Sequence, residues 1–175
     1  MTAERRRIAL ISTGGTIEKT YNELEGVLNN NVSVLDVMLA SLQLRGVHIV
    51  RVPLMNKDSL YMSADDHTLI ARTAGAMAQS HDGVVIVHGT DTLTVTGDRV
   101  VELNPDLRVP VVLTGAMRPF ELRNTDAMQN LTEALLAVQI LTPGVYVAMH
   151  NRVLAFPGVE KDRVEGTFIR SAPRA

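Results

Sequence analysis

Five short apolar runs, rich in Val and Ile, recur along the chain: Ile8 to Ile11, Val47 to Val52, Val84 to Val87, Val109 to Leu113 and Val145 to Met149. Near-continuous apolar character of this kind is what a parallel strand covered on both faces requires. Helical spacings fall between the runs. Ser33 precedes Leu35, Met38, Leu39 and Leu42, a face that Gly46 ends. Ser63 and Asp66 have capping-box spacing ahead of Leu69, Ile70, Thr73, Ala74 and Met77. Leu93, Gly97, Val100 and Val101 predict a third helix. Leu131, Leu135, Val138 and Leu141 predict a fourth, with Pro143-Gly144 beyond its end. Strands alternating with helices imply right-handed crossovers. The expected fold is therefore α/β: an open, mostly parallel sheet with helices on both faces, in three layers. The segment after Phe156 carries no clear period and reads as irregular.

Ligands of such sheets bind beyond the carboxyl ends of the strands. The residues there are Thr13-Gly14-Gly15-Thr16 after the first strand and Asn56-Lys57-Asp58-Ser59 near the end of the second. His88-Gly89-Thr90-Asp91-Thr92 follows the third and Thr114-Gly115-Ala116-Met117-Arg118-Pro119 the fourth. The fifth leads into His150-Asn151-Arg152 and later Glu160-Lys161-Asp162. Glycine allows close backbone approach to a ligand, and a threonine hydroxyl can donate, accept or attack. Each loop alone also fits ordinary turn chemistry; their coincidence on one predicted edge points to a pocket.

Composition narrows the chemistry. With 175 residues, 46% of them hydrophobic, the chain has the size and make-up of a single globular domain spanning 1–175. Cysteine is absent, which excludes thiolate catalysis, disulfides and Cys-based zinc sites. A net charge of -2 gives no long-range attraction to nucleic acid or an anionic membrane. The run Ala134 to Val138 is far too short to span a bilayer. Arg5-Arg6-Arg7 precedes an apolar stretch that Ser12 cuts short, so a cytoplasmic protein without a secretory leader is expected. There is no G-x-G-x-x-G, no Walker lysine and no G-x-S-x-G elbow, and the five histidines lack metal-ligand spacing. No metal and no organic cofactor are implied.

Thr13-Gly14-Gly15-Thr16-Ile17 and His88-Gly89-Thr90-Asp91-Thr92 resemble the two signatures of the bacterial-type L-asparaginase family. Gly115-Ala116-Met117-Arg118-Pro119 is similar to a third stretch of it. The resemblance covers nearly the whole chain but only the family's amino-terminal domain; its carboxy-terminal domain is expected to be missing. It implies hydrolysis of L-asparagine to L-aspartate and ammonia through a covalent ester, with glutamine as a slow alternative. By motif position it makes Thr16 the nucleophile and Thr90, Asp91 and Lys161 a second catalytic group. Tyr21 is the nearest counterpart of the family's catalytic tyrosine, at a shorter spacing. Ser59, with Asp58 beside it, falls where the family binds the substrate carboxylate, and Asp91 where it meets the ammonium.

The chemistry these roles require is specific. A neutral hydroxyl attacks an amide only if a base takes its proton. Burial would favour a neutral Lys161 and Asp91 would oppose it, a conflict the residues alone leave open. The oxyanion needs donors, which the backbone N–H groups of Gly14, Gly15 and Gly89 would supply. Leu60 stands where the family often carries a polar residue for the substrate ammonium, so weak substrate binding is expected. Pockets at subunit contacts in such families imply a homodimer or larger homo-oligomer. Two other functions remain open: an ammonia-supplying amidotransferase subunit, which needs a partner protein, and a non-catalytic sensor that binds an amino acid.

Overall fold

The computed structural model describes residues 5–171. In chain order the elements are β1 (Arg6–Gly14), β2 (Thr20–Asn22), β3 (Val27–Asn29), α1 (Leu35–Ala40), β4 (Val47–Lys57), α2 (Ala64–Ala78) and β5 (Gly83–Val87). Then follow α3 (Leu93–Leu103), β6 (Pro110–Thr114), α4 (Ala127–Ile140), β7 (Gly144–Met149), β8 (Arg152–Ala155), β9 (Val159–Asp162) and β10 (Thr167–Arg170). Among the described residues six strands form one sheet in the order β4-β1-β5-β6-β7-β8. The first five run parallel, and β8 is antiparallel to β7. The five apolar runs are thus the five parallel strands.

Side-chain alternation splits the core into two layers. Ile8, Leu10, Val85, Val87 and Val112 pack with Leu35 and Met38 of α1 and Leu131, Ala134, Leu135 and Val138 of α4. Ala9, Ile11, Val84, Ile86, Val111 and Leu113 face the other way, against Ile70 and Ala74 of α2 and Leu93 and Val100 of α3. A strand buried on both faces has no position for a polar residue, which is why these runs are continuous. Each fully buried Ile, Leu or Val contributes about 1.5–3 kcal/mol relative to exposure. Among the described residues no helix is long and apolar enough to cross a membrane.

The Ser63–Asp66 capping box forms as expected, each partner receiving the other's backbone N–H. The helix after Ser33 is shorter than its spacing predicts. It stops at Ala40, where the Ser41 hydroxyl donates to the Met38 carbonyl and competes with the helical pattern. Val34, not Ser33, is its N-cap residue. The expectation of an irregular segment after Phe156 is corrected. β9 and β10 pair as a hairpin whose Val159 and Phe168 are buried in the α2–α3 layer. His150 and Asn151, both at positive φ (54° and 59°), make the two-residue turn between β7 and β8. Left-handed backbone at both positions gives the twist a tight hairpin needs, and His and Asn tolerate it better than most residues.

The ring of Phe156 lies over Gly97 of α3, where an added Cβ would stand 2.3 Å from its Cζ. Alanine improves helix propensity by about 1 kcal/mol, but displacing a buried ring costs about 1–3 kcal/mol. Gly97→Ala is expected to lower the urea midpoint; an unchanged or higher midpoint would show that the ring moves freely.

Candidate active site

The strand order reverses between β1 and β5, so their following loops diverge and leave a crevice there. The two loops nonetheless touch at their bases. A Cβ on Gly15 would lie 2.4 Å from the Gly89 Cα, and one on Gly89 would lie 2.5 Å from the Ser59 Oγ. Gly15 also holds φ at 82°, in the region that suits glycine. A register shift between Ser12 and Gly14 carries the end of β1 over β4, and a Cβ on Gly14 would meet the Lys57 backbone at 2.4 Å. The Thr13 hydroxyl donates to the Val87 carbonyl (2.8 Å), and the Thr92 hydroxyl to the Ser59 carbonyl (3.0 Å). Three strand ends are therefore locked together, bringing the segments of Thr16, Ser59 and Thr90 to one place.

Lys161 reaches this place from β9. Its Nζ donates to Thr90 Oγ1 at 2.9 Å and to Asp91 Oδ1 at 2.8 Å. Arg163, which stands outside every motif of the sequence, adds a second cation on Asp91 Oδ1 at 3.3 Å. Asp91 Oδ2 takes no hydrogen bond from any described residue and is free to meet an ammonium. Thr90, only 4% exposed, places its own proton toward the Met117 sulfur at 3.6 Å. The Thr16 hydroxyl, half-buried at the start of a 3-10 turn (Thr16–Glu18), and the Ser59 hydroxyl have no hydrogen-bond partner among the described residues. The Thr90 N–H is likewise uncommitted among them.

Three expected roles meet a different geometry. The Gly15 N–H donates to the Lys57 carbonyl (2.8 Å) and the Gly14 N–H to Glu18 Oε2 (3.2 Å), so neither is available to an oxyanion. Asp58 is bound to Lys19 Nζ at 2.6 Å and caps the Leu60 N–H at 3.0 Å. Burial pushes the Asp58 carboxyl up, but Lys19 and the Leu60 N–H outweigh it and hold it below the usual carboxylate range. Tyr21 lies in the β2–β3 hairpin, pairs with Leu28, and is 60% exposed with its hydroxyl unbonded to any described residue. The hairpin joins the body through the Tyr21 N–H, which donates to Glu121 Oε2.

Glu18 was not visible as a site residue in the sequence. It is 1% exposed beneath the Thr16 turn and receives the Ser33 hydroxyl as well as the Gly14 N–H. Asn30 Nδ2 donates to the Gly15 carbonyl at 2.8 Å. Together they tie the two ends of the hairpin segment to the glycine pair. A second brace holds the loops after β6 and β7. Asp126 accepts from the Met117 and Arg118 N–H groups and meets His150 Nε2 at 2.7 Å, while Asn130 bonds the Gly115 carbonyl and the His150 N–H. Burial raises the Asp126 carboxyl, and these donors more than reverse it.

Residues 7–167 match the family model "Asparaginase, N-terminal". The chain belongs to the asparaginase family. It is 32% identical over 157 residues to an L-asparaginase of Thermococcus kodakarensis, covering 89% of this chain and 47% of that protein. It is 28% identical over 146 residues to one subunit of the glutamyl-tRNA(Gln) amidotransferase of Thermoplasma acidophilum, covering 83% and 36%. The solved structure of the thermostable L-asparaginase from Thermococcus kodakarensis superposes with a TM-score of 0.83 at 32% identity, over 94% of this chain and 51% of that one. The chain spans about half the length, or less, of these curated relatives.

In this asparaginase domain the Glu18 carboxyl is raised by burial, against the opposing pull of Ser33, Arg51 and the Gly14 N–H. A carboxyl raised on folding is harder to ionise in the native state. Its contribution to stability is complete below the unfolded value of ~4.3 and is lost as pH rises through the folded value. Glu18→Gln can keep both hydrogen bonds without the charge. Melting curves at pH 4.5 and 7.5 should show the variant gaining on wild type at the higher pH; a variant that melts lower at pH 7.5 would mean that the ionised carboxylate is needed.

Proposed function

We propose that this domain carries the chemistry of an amidohydrolase that converts L-asparagine and water to L-aspartate and ammonia, with glutamine as a slower substrate. The observation that carries the reading is Lys161 Nζ bonded at once to Thr90 Oγ1 and Asp91 Oδ1, on the loop whose Gly89 packs against Gly15, beside Thr16. Ion pairing alone would not need a buried hydroxyl between the loops.

On this reading the Thr16 Oγ adds to the side-chain amide carbon. The C–N bond breaks, the threonine proton leaves with the nitrogen as ammonia, and an aspartyl ester remains on Thr16. Water then adds to the ester, and the C–O bond breaks to free aspartate and restore the hydroxyl. Thr90, polarised by Lys161, is placed to hold that water. The Thr90 N–H and the Gly89 N–H, unlike those of Gly14 and Gly15, are uncommitted among the described residues and are the donors offered to the oxyanion. The free Oδ2 of Asp91 takes the substrate ammonium, and Ser59 the carboxylate. No step calls for a metal or an organic cofactor. Leu60, 62% exposed, offers no acceptor to the ammonium. One charge-assisted hydrogen bond of about 1.5–3 kcal/mol is thereby lost, so the Michaelis constant should lie above the micromolar range.

A homodimer or larger assembly completes the reading. Leu60, Tyr61 and Val164, all more than half exposed, stand on the segments that follow Ser59 and Lys161, and a second copy would cover them. The second functional reading, an ammonia-supplying amidotransferase subunit, is favoured by the relatives that carry that name.

The test is ammonia release from a panel of amides by wild type, Thr16→Ala, Thr90→Val and Lys161→Met. Thr16→Ala should lose at least about a thousandfold in kcat. The other two should lose about a hundredfold or more with smaller changes in KM. Equal release by all four would overturn the assigned roles. Release only with a partner protein and charged tRNA would select the amidotransferase reading. Sedimentation at monomer mass under assay conditions would remove the homo-oligomer.

A further inference from the structure

Behind the Thr90 loop, on the α2–α3 side of the sheet, two histidines are buried against each other. His88 directly follows β5 and is fully buried; His67 lies in the first turn of α2 and is 5% exposed. Their rings stack with centroids 6.0 Å apart and planes 16° from parallel. Between them Thr96, fully buried in the first turn of α3, places its Oγ1 2.7 Å from His67 Nδ1 and 2.7 Å from His88 Nε2. His88 Nδ1 lies 2.7 Å from the Gly89 carbonyl.

Proton positions follow from donor and acceptor capacity once burial keeps the His88 ring neutral. A carbonyl oxygen only accepts, so His88 Nδ1 carries the hydrogen. Burial is the main cause holding the His88 imidazole neutral, pushing its pKa down to about 4, with neighbouring His67 acting the same way and the Gly89 carbonyl opposing. A neutral ring protonated at Nδ1 has a bare Nε2, so the Thr96 hydroxyl must donate to it. The single Thr96 proton is then committed, and its oxygen must receive from His67 Nδ1–H. Every hydrogen bond in the row points one way, from His67 through Thr96 to His88 and on to the Gly89 carbonyl. The charged groups acting on His67 are Asp66, which favours its protonation, and Arg99, which with burial opposes it.

We infer that His67, Thr96 and His88 form a directed row of buried hydrogen bonds that fixes the Gly89–Thr90 peptide, so that His67 and Thr96 are positioning residues for Thr90. The peptide is trans, so its C=O and N–H point in opposite directions. Holding the Gly89 oxygen against the imidazole turns the Thr90 N–H to the far side of the peptide. The same clamp sets the start of the turn from which Thr90 Oγ1 meets Lys161. Gly89 can adopt many backbone conformations and has no side chain to restrain it, so an outside restraint is what selects one. The row makes no hydrogen bond to Lys161, Asp91 or Thr16 and reaches the site through this peptide. Its kinetic consequence rests on the amidohydrolase reading above; the tautomers and the peptide orientation do not.

The experiment is two-bond proton–nitrogen correlation spectroscopy on the whole chain with labelled histidine. At pH 7 both His67 and His88 should be neutral and protonated at Nδ1, the minor tautomer of free histidine, and His88 should stay so at pH 5.5. A His88 that is charged, or protonated at Nε2, overturns the proposal without any variant being made. Thr96→Val removes the hydroxyl at nearly constant shape. It should mix the His88 tautomers, move the Thr90 amide resonance, and lower kcat about tenfold with KM little changed. Thr96→Ser should restore all three. A Thr96→Val protein that melts lower but keeps the His88 tautomer and the Thr90 resonance overturns the positioning role. Should Thr96→Val not fold, His67→Phe serves, with a smaller shift of the same resonance expected and an unmoved resonance counting against the proposal. Failure of the unaltered protein to release ammonia, with tautomers and Thr90 resonance behaving as stated, counts against the amidohydrolase reading and leaves the row standing.

Discussion

The close approach of Gly15 to Gly89 is the contact on which the rest of the site depends. Two strand ends that diverge at the reversal of strand order are held together by having no side chain at either position. A Cβ on Gly15 would sit 2.4 Å from its neighbour's Cα, and a Cβ on Gly89 would strike Ser59. Any larger residue would push the loops apart by an ångström or more. Displacements of that size are enough to cost about a hundredfold where reacting groups must meet. The surrounding bonds reinforce the contact: Thr13 to Val87, Gly15 to Lys57, Asn30 to Gly15 and Thr92 to Ser59. None of them uses a group that the proposed chemistry needs.

Lys161 joins this junction from about 70 residues beyond Thr90, and the hairpin that delivers it is held by packing. Val159 and Lys161 share one face of β9, and Phe168 stands directly across from Lys161 on that face. Val159 and Phe168 are buried in the same layer as Leu93 and Val100. Burying two apolar side chains thus fixes the register that points the ammonium at Thr90. A slip of one residue would turn Lys161 to the opposite face and present Glu160 or Asp162 to Asp91. The repulsion of two carboxylates makes that alternative unfavourable.

The parallel strands were legible because burial on both faces leaves a continuous apolar run, and the α2 cap because Ser63 and Asp66 stand at the right spacing. The two glycine-threonine motifs could be assigned to one sheet edge from topology alone. What escaped the sequence shares a physical cause, namely dependence on contacts made far along the chain. The β9–β10 strands are four residues each, too short to show alternation, and are stabilised by the layer beneath them. Glu18 reads as a surface carboxylate until Ser33 and the Gly14 N–H close over it. Gly14 and Gly15 looked like oxyanion donors because local sequence cannot show that β4 and Glu18 claim their N–H groups. Tyr21 was the nearest counterpart, at a shorter spacing, of the tyrosine the resemblance implies, and in its hairpin it is 60% exposed. His67 and Thr96 gave no signal, since a histidine in the first turn of one helix and a threonine in that of another acquire meaning only when α2 and α3 pack.

The two threonines differ in a way that bears on the order of events. Thr90 is almost completely buried, its oxygen accepts from Lys161, and its proton faces the Met117 sulfur, so the proton and one of its two lone pairs are engaged and the other is left for a water. A lone pair held by a hydrogen bond is a poorer nucleophile, and freeing it would break a bond to Lys161 that the Asp91 pair also restrains. Thr16 has no such commitments among the described residues, is half-buried rather than enclosed, and begins a turn fixed at Gly15 on one side and at Glu18 on the other. An attacking oxygen must be reachable, carry lone pairs free of a donor and be held in place; Thr16 meets all three conditions, whereas Thr90 is enclosed and has one of its two lone pairs taken by Lys161. This asymmetry is the physical reason to assign the first attack to Thr16 and to give Thr90 the task of steering water. The hydroxyl that Lys161 holds is suited to polarising a neighbour, and the one left free is suited to forming a bond.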